Sequence, residues 1–272
     1  MRACNYLLID LAFDDPLPSD RWIDYAVALQ PLTEPAGSWR ACTDGVHDLC
    51  YPGRESPGLV LPGRVGSVLH GSCRKPHHPG QGDGLVEADR LLERCLAAGE
   101  GPRDRAGGEA ADLDELPAWP SALVLTGDQV YADDVAGPML HAIHQVVAML
   151  GLPDERLAGG EWIKVHTAQS LYRHPAGFYR RETLLPRHKR NYALIEVLFG
   201  GVEKPVFTTA SAHNHLITLG EVLAMYLLAW SPALWALIDL DPPPGLDAAS
   251  RSLYDTERTA IQAFAAALPA VR

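Results

Sequence analysis

The sequence predicts an α/β fold over residues 61 to 272, preceded by a short β-rich amino-terminal region over residues 1 to 60. Three observations lead there. Leu123, Val124 and Leu125 form a short apolar run that reads as a buried parallel strand, and the chain must turn sharply at Thr126, Gly127 and Asp128. Residues 64 to 70 read as a second strand, running into Gly71-Ser72-Cys73-Arg74-Lys75 and lying beside the first if both belong to one sheet. Between them, Leu85, Ala88, Leu92, Cys95 and Leu96 fall on one face of a helix over 85 to 98, the crossover that parallel strands require.

The remaining elements follow in chain order. Residues 6 to 11 and 22 to 29 are extended-looking runs separated by Pro, Gly and Asp clusters, which is β structure broken by turns. Residues 99 to 116, rich in Gly, Asp and Glu, read as a solvated, mobile loop. After Tyr131, Asp133 and Asp134 stand where they could cap a helix running to about Leu150, with His141 and His144 three apart on it. Residues 151 to 206 mix short helical pieces with basic runs, Arg180-Arg181 and Arg187-His188-Lys189-Arg190, which read as solvated faces; the aromatics between, Tyr172, Phe178, Tyr179 and Tyr192, read equally well as packing residues. Residues 216 to 238 read as two buried helices meeting at Pro232. The last helix spans about 249 to 268, with Leu253, Ile261, Phe264, Ala265 and Leu268 on one side, and stops at Pro269.

A chain of 272 residues with 47% hydrophobic and 21% charged residues can bury a sizeable core. Its formal charge of −11 argues against nucleic acid as a stable partner, which needs clustered Lys and Arg, yet leaves room for a phosphate ester bound through a local cation. Five cysteines, Cys4, Cys42, Cys50, Cys73 and Cys95, have no zinc-like spacing and cannot all pair. The opening apolar stretch is broken by Asp10 and is too short and acidic for a secretory leader, so a cytoplasmic location is expected. A membrane partner is not expected either. In the apolar run from 216 to 238, Glu221 alone costs about 3 kcal/mol at a bilayer centre, and Pro232 interrupts any helix there.

The chemistry centres on LVLTGDQVYADD, residues 123 to 134. Asp128 sits at a strand's carboxyl end, where α/β sheets bind ligands, and Gly127 lets backbone approach whatever occupies that edge. Asp128 and Tyr131 are spaced so that a turn can bring carboxylate and phenol together. A carboxylate can bridge two cations and a phenolate suits a hard ion. The plainer alternative is that Asp128 caps a helix and Tyr131 packs. Cys73 ends the other strand, and its thiolate could bind a ferric ion or be an ordinary buried thiol.

GDQVYADD closely resembles the signature of the alkaline phosphatase D (PhoD-like) metallophosphoesterases. HGSCRKPH, from His70 to His77, and FTTASAHNHLITLGEVLAMYLLAWSPALW, from Phe207 to Trp235, resemble the same family and stand in its order. The resemblance implies a metallophosphoesterase-like α/β/β/α layered domain after a β-sandwich-like region. It implies a Fe(3+) ion held by Cys73, Asp128 and Tyr131, and a second metal, Ca(2+), bridged by Asp128. Asp128 would be the catalytic centre and Arg74 a phosphate-binding side chain. His77 and His78 could face an anionic substrate or simply be solvated, and His213-Asn214-His215, though an Asn-His pair is a ligand element in other metallophosphoesterases, reads as packing and substrate-side architecture.

The family continues into an Asp-Asp-His-Asp/Glu motif and further histidine loops. No such motif occurs here, since Asp14-Asp15 and Asp133-Asp134 are followed by Pro and Val. The sequence is therefore expected to be the amino-terminal part of a longer phosphoesterase, with an incomplete domain. Its exposed sheet edge would promote self-association. The first functional expectation is phosphoric ester hydrolysis, as a phosphatase or phosphodiesterase. Its rivals are a catalytically incompetent remnant or binding module, and a complex in which a separate chain supplies the missing ligands.

Overall fold

In the computed structural model of the chain, the described residues are 8–41, 49–75, 83–97, 119–157, 165–184 and 212–271. They hold helices and three two-stranded sheets, distributed over two compact units. One unit comprises residues 7–74, 80–127 and 266–272; the other comprises 1–6, 75–79 and 128–265.

In the first unit, β1 (Trp22–Asp24) pairs antiparallel with β4 (Gly58–Val60), and β2 (Ala28–Leu29) with β3 (Arg40–Ala41). The run expected over 22 to 29 is thus two short strands, and residues 8 to 11 are in neither. Asp20 closes the β1–β4 ladder, taking Leu61 O on its backbone N–H and the Gly63 N–H on its carboxylate. Trp22 lies flat over Gly58, where any Cβ would meet the indole, and its ring meets Tyr51 and Trp119 edge-on. Tyr51 in turn donates to buried Asp89 of α1 (Gly84–Ala97). The amino-terminal strands thus make contacts with α1 and with the segment before β6.

The predicted crossover unit is present. β5 (Val68–Gly71) and β6 (Ala122–Leu125) pair in parallel, in register from Val68↔Ala122 to Gly71↔Leu125. The burial expected for β6 is not: Leu123 is 47% and Val124 42% exposed. Among the described residues each strand has a single neighbour, and the face carrying Val68, His70, Ala122 and Val124 is exposed.

The second unit is helical. α2 (Gly137–Leu150) buries Met139, Leu140, Ile143, Val146 and Val147, the 3.6-residue stripe of a core helix, and ends at Gly151 in the left-handed region. It packs on α4 (Leu219–Trp230), which buries Ala224, Met225, Leu228 and Ala229. Gly220 lies against Glu155, whose Oε1 accepts its N–H at 2.7 Å and would stand 3.3 Å from a Cβ there. α3 (Ala168–Tyr172) is a short helix with Leu171 buried. α4 ends before Ser231-Pro232, as expected, but the second helix of that pair is only a 3-10 turn at Trp235–Leu237 with Leu237 exposed. α5 (Ala248–Ala267) buries Tyr254, Ile261 and Phe264; the expected core position Leu253 points to solvent and its neighbour Tyr254 takes the place. No helix among the described residues is long and apolar enough to cross a membrane.

Candidate functional site

At the carboxyl ends of β5 and β6 the backbone pairing continues one step, Thr126 N–H donating to Gly71 O at 3.2 Å. His70 Nε2 and Thr126 Oγ1 lie 2.6 Å apart. The Cys73 turn and the Gly127 turn leave this edge side by side: a Cβ on Gly127 would lie 3.2 Å from Ser72 Cβ and 3.5 Å from Cys73 Sγ. The tight neighbour is therefore Ser72, against which Gly127 packs without a side chain, while Cys73 Sγ lies at ordinary contact distance. Cys73 itself is exposed and adopts φ 52°, a left-handed backbone that a non-glycine residue seldom takes. Asp128 is exposed and Tyr131 half-buried. Cys73 belongs to the first compact unit, Asp128 and Tyr131 to the second.

Arg74 is engaged with Asp83, to which it donates from Nε at 3.2 and 3.1 Å and from Nη2, with both side chains only 12% exposed. Asp83 also accepts the Leu85 N–H at the start of α1. The residue expected to take phosphate is thus committed to holding a helix start. Lys75, the next residue, has Nζ 2.9 Å from Asp134 Oδ2 and 5.2 Å from the Tyr131 ring centroid, a cation-π placement.

Asp133 and Asp134 do not cap α2. The helix begins later, at Gly137 with Pro138 following, and its first N–H donates to Glu257 Oε2 at 2.9 Å. Tyr179 Oη donates to the same oxygen at 2.8 Å, and a Cβ on Gly137 would sit on that hydroxyl. Burial pushes the Glu257 carboxyl up, against the lowering effect of its two donors. Asp133 instead faces His215 Nε2 at 2.7 Å. The segment carrying His215 runs along the Asp-Asp stretch: Leu216 N–H donates to Ala132 O at 2.9 Å and Val135 N–H to Asn214 O at 3.4 Å.

Behind this segment lies a charged cluster that the sequence did not reveal. Arg181, read as part of a solvated basic run, is fully buried, and so is Glu221. Their closest atoms are 2.5 Å apart, and Arg181 Nη1 donates to His215 O at 2.8 Å. Glu221 Oε1 also accepts from His144 Nε2 at 3.0 Å, while Oε2 takes the Ile217 and Thr218 amides. Burial alone would raise the Glu221 carboxyl, but the Arg181 guanidinium and His144 outweigh it and hold it well below the usual carboxylate range. Burial lowers His144, whose ring stacks on Tyr172 with centroids 4.0 Å apart. His144 is therefore a neutral donor inside a core. An uncompensated buried charge costs several kcal/mol, so this carboxylate needs its full set of donors.

Among the described residues, no three His, Cys, Asp or Glu side chains cluster as a metal site. His77, His78 and the basic run from Arg187 to Arg190 lie outside the described residues. Comparison with known proteins returned no match: no family model, no curated protein and no solved structure is similar to this chain.

Proposed function

We propose that the chain is a metal-dependent phosphoric ester hydrolase of the PhoD-like kind. What supports the reading is the parallel β5–β6 pair, which sends the Cys73 turn and the Gly127 turn out of one sheet edge, joined to the three ordered motifs that carry the family resemblance. The donor chemistry fits a ferric ion, with one thiol, one carboxylate and one phenol in the order the family uses, and Cys73 and Asp128 are both exposed. Cys73, Asp128 and Tyr131 would hold the iron, and Asp128 would share a calcium. When bound, the pair supplies Lewis-acid chemistry for in-line attack of water on phosphorus. Lys75, paired with Asp134, lies over the Tyr131 ring.

A second reading, a binding module or remnant without catalysis, is favoured by a specific observation: Arg74 is locked to Asp83 and not presented to an anion. The two readings separate on one preparation. The hydrolase reading expects stoichiometric iron, a visible thiolate or tyrosinate charge-transfer band, and p-nitrophenyl phosphate hydrolysis lost on Asp128→Asn. A pure chain that takes up no iron from ferric and calcium salts and leaves the ester intact establishes the remnant.

A further inference from the structure

The His-Asn-His stretch, residues 213 to 215, is the motif the proposed reaction leaves without a task. We infer that His215 is a positioning residue: it clamps the loop carrying Asp128 and Tyr131 onto the protein core through Asp133. The inference deepens the hydrolase reading and rests on it for its kinetic arm only.

Four contacts make the clamp, two from backbone and two from side chains. Leu216 N–H donates to Ala132 O and Val135 N–H to Asn214 O, so the 214–216 segment lies along residues 132–135 as a short strap. Its side-chain fastening is His215 Nε2 to Asp133 Oδ1 at 2.7 Å, where the imidazole is 16% and the carboxylate 26% exposed. Its back is fastened by Arg181, which donates to the His215 carbonyl at 2.8 Å. Arg181 is a rigid anchor because it is fully buried and paired with Glu221, which also takes the first amides around the α4 start. A path of hydrogen bonds thus runs from the α4 start through Glu221, Arg181 and His215 to Asp133, two residues beyond Tyr131. Preorganisation of a reacting group depends on such supporting shells, and a displacement of about 1 Å can cost about a hundredfold in rate.

The experiment compares wild type with His215→Ala, His215→Gln and Asp133→Ala. Glutamine places an amide N–H close to where Nε2 donates, so it can keep the fastening that alanine removes. The first measurement is amide hydrogen exchange. His215→Ala and Asp133→Ala are expected to speed exchange at Val135 and Leu216 at least tenfold, with Leu140 inside α2 unchanged and His215→Gln restoring most of the protection. Unchanged exchange at both amides in both alanine variants overturns the clamp. Exchange that rises equally at Leu140 also overturns it, because the residue then serves general stability. The second measurement is p-nitrophenyl phosphate hydrolysis by iron- and calcium-loaded protein. A fall in kcat of about tenfold in His215→Ala, with KM within twofold and the melting temperature retained, is the expected result; an unchanged kcat overturns the positioning role. If wild type itself does not hydrolyse the ester, the hydrolase reading fails, and amide exchange still decides the clamp.

Discussion

The Glu221 carboxylate accepts from the Arg181 guanidinium, the His144 imidazole and the Ile217 and Thr218 amides, with no access to water. Its removal leaves Arg181 buried and unpaired, so Glu221→Ala is expected to cost about 3 to 5 kcal/mol in urea unfolding. The same cluster fixes the pH response. His144 is lowered in the folded state, so below its ordinary value of 6.5 the unfolded chain binds the proton more readily and stability falls. Glu221 is lowered too, so its contribution is complete above 4.5 and disappears as pH falls further. Both act in one direction: stability should decline as pH drops from about 7 to 4. His141 is lowered by burial as well and acts in the same window, so His144→Gln should reduce the upper part of that slope without abolishing it, read from thermal melts at stepped pH. Glu257 runs against them: its raised carboxyl favours the folded state at low pH, and that contribution is lost as pH rises through the folded value. Gly137→Ala tests the adjoining contact sterically. Its Cβ would occupy the Tyr179 hydroxyl position, and overpacking of this kind costs about 1 to 3 kcal/mol.

At the scale of elements, helices were legible where a core stripe or a stop signal is local. α1, the end of α2, the end of α4 and the extent of the last helix agree with the expected apolar spacing and with the stops at Pro232 and Pro269. The start of α4 is also local: Thr218 accepts the Glu221 amide while the Glu221 side chain returns to the Thr218 amide, a Thr-x-x-Glu capping box. Tyr172 shares that hydroxyl at 2.8 Å. Thr218→Ala is therefore expected to lower stability by about 1 to 2 kcal/mol, measured as a shift in the urea midpoint at unchanged slope. What was not legible depends on partners far away in sequence. Arg181 meets a carboxylate 40 positions on, and His144 one 77 positions on, so a basic pair looked solvated when half of it is core. Asp133 and Asp134 looked like caps because their partners, His215 and Lys75, come from other segments. For the candidate site, the adjacency of the Cys73 and Gly127 turns could be read from the strand-helix-strand order, whereas the capture of Arg74 by Asp83 could not.

At the scale of the whole molecule, two opposing terms govern association. β5 and β6 leave Val68, His70, Ala122 and Val124 on one exposed face, with Val68 46% exposed, and among the described residues neither strand has a second neighbour. Such a pair offers both apolar surface and open backbone groups to a second copy. A formal charge of −11 repels that copy. Salt separates the terms, because the Debye length shrinks from about 30 Å at 0.01 M to about 8 Å at 0.15 M while burial of apolar surface is not screened. Self-association through this sheet should therefore strengthen as salt is added, where contacts made by ion pairs would weaken. Sedimentation velocity at the two salt concentrations reads the difference. Val124→Lys places a charge on the exposed face without touching the β5–β6 backbone pairing, and should return the higher-salt sample to a single slow species. If the variant associates as wild type does, the contact lies elsewhere on the surface and the open sheet face is not its cause.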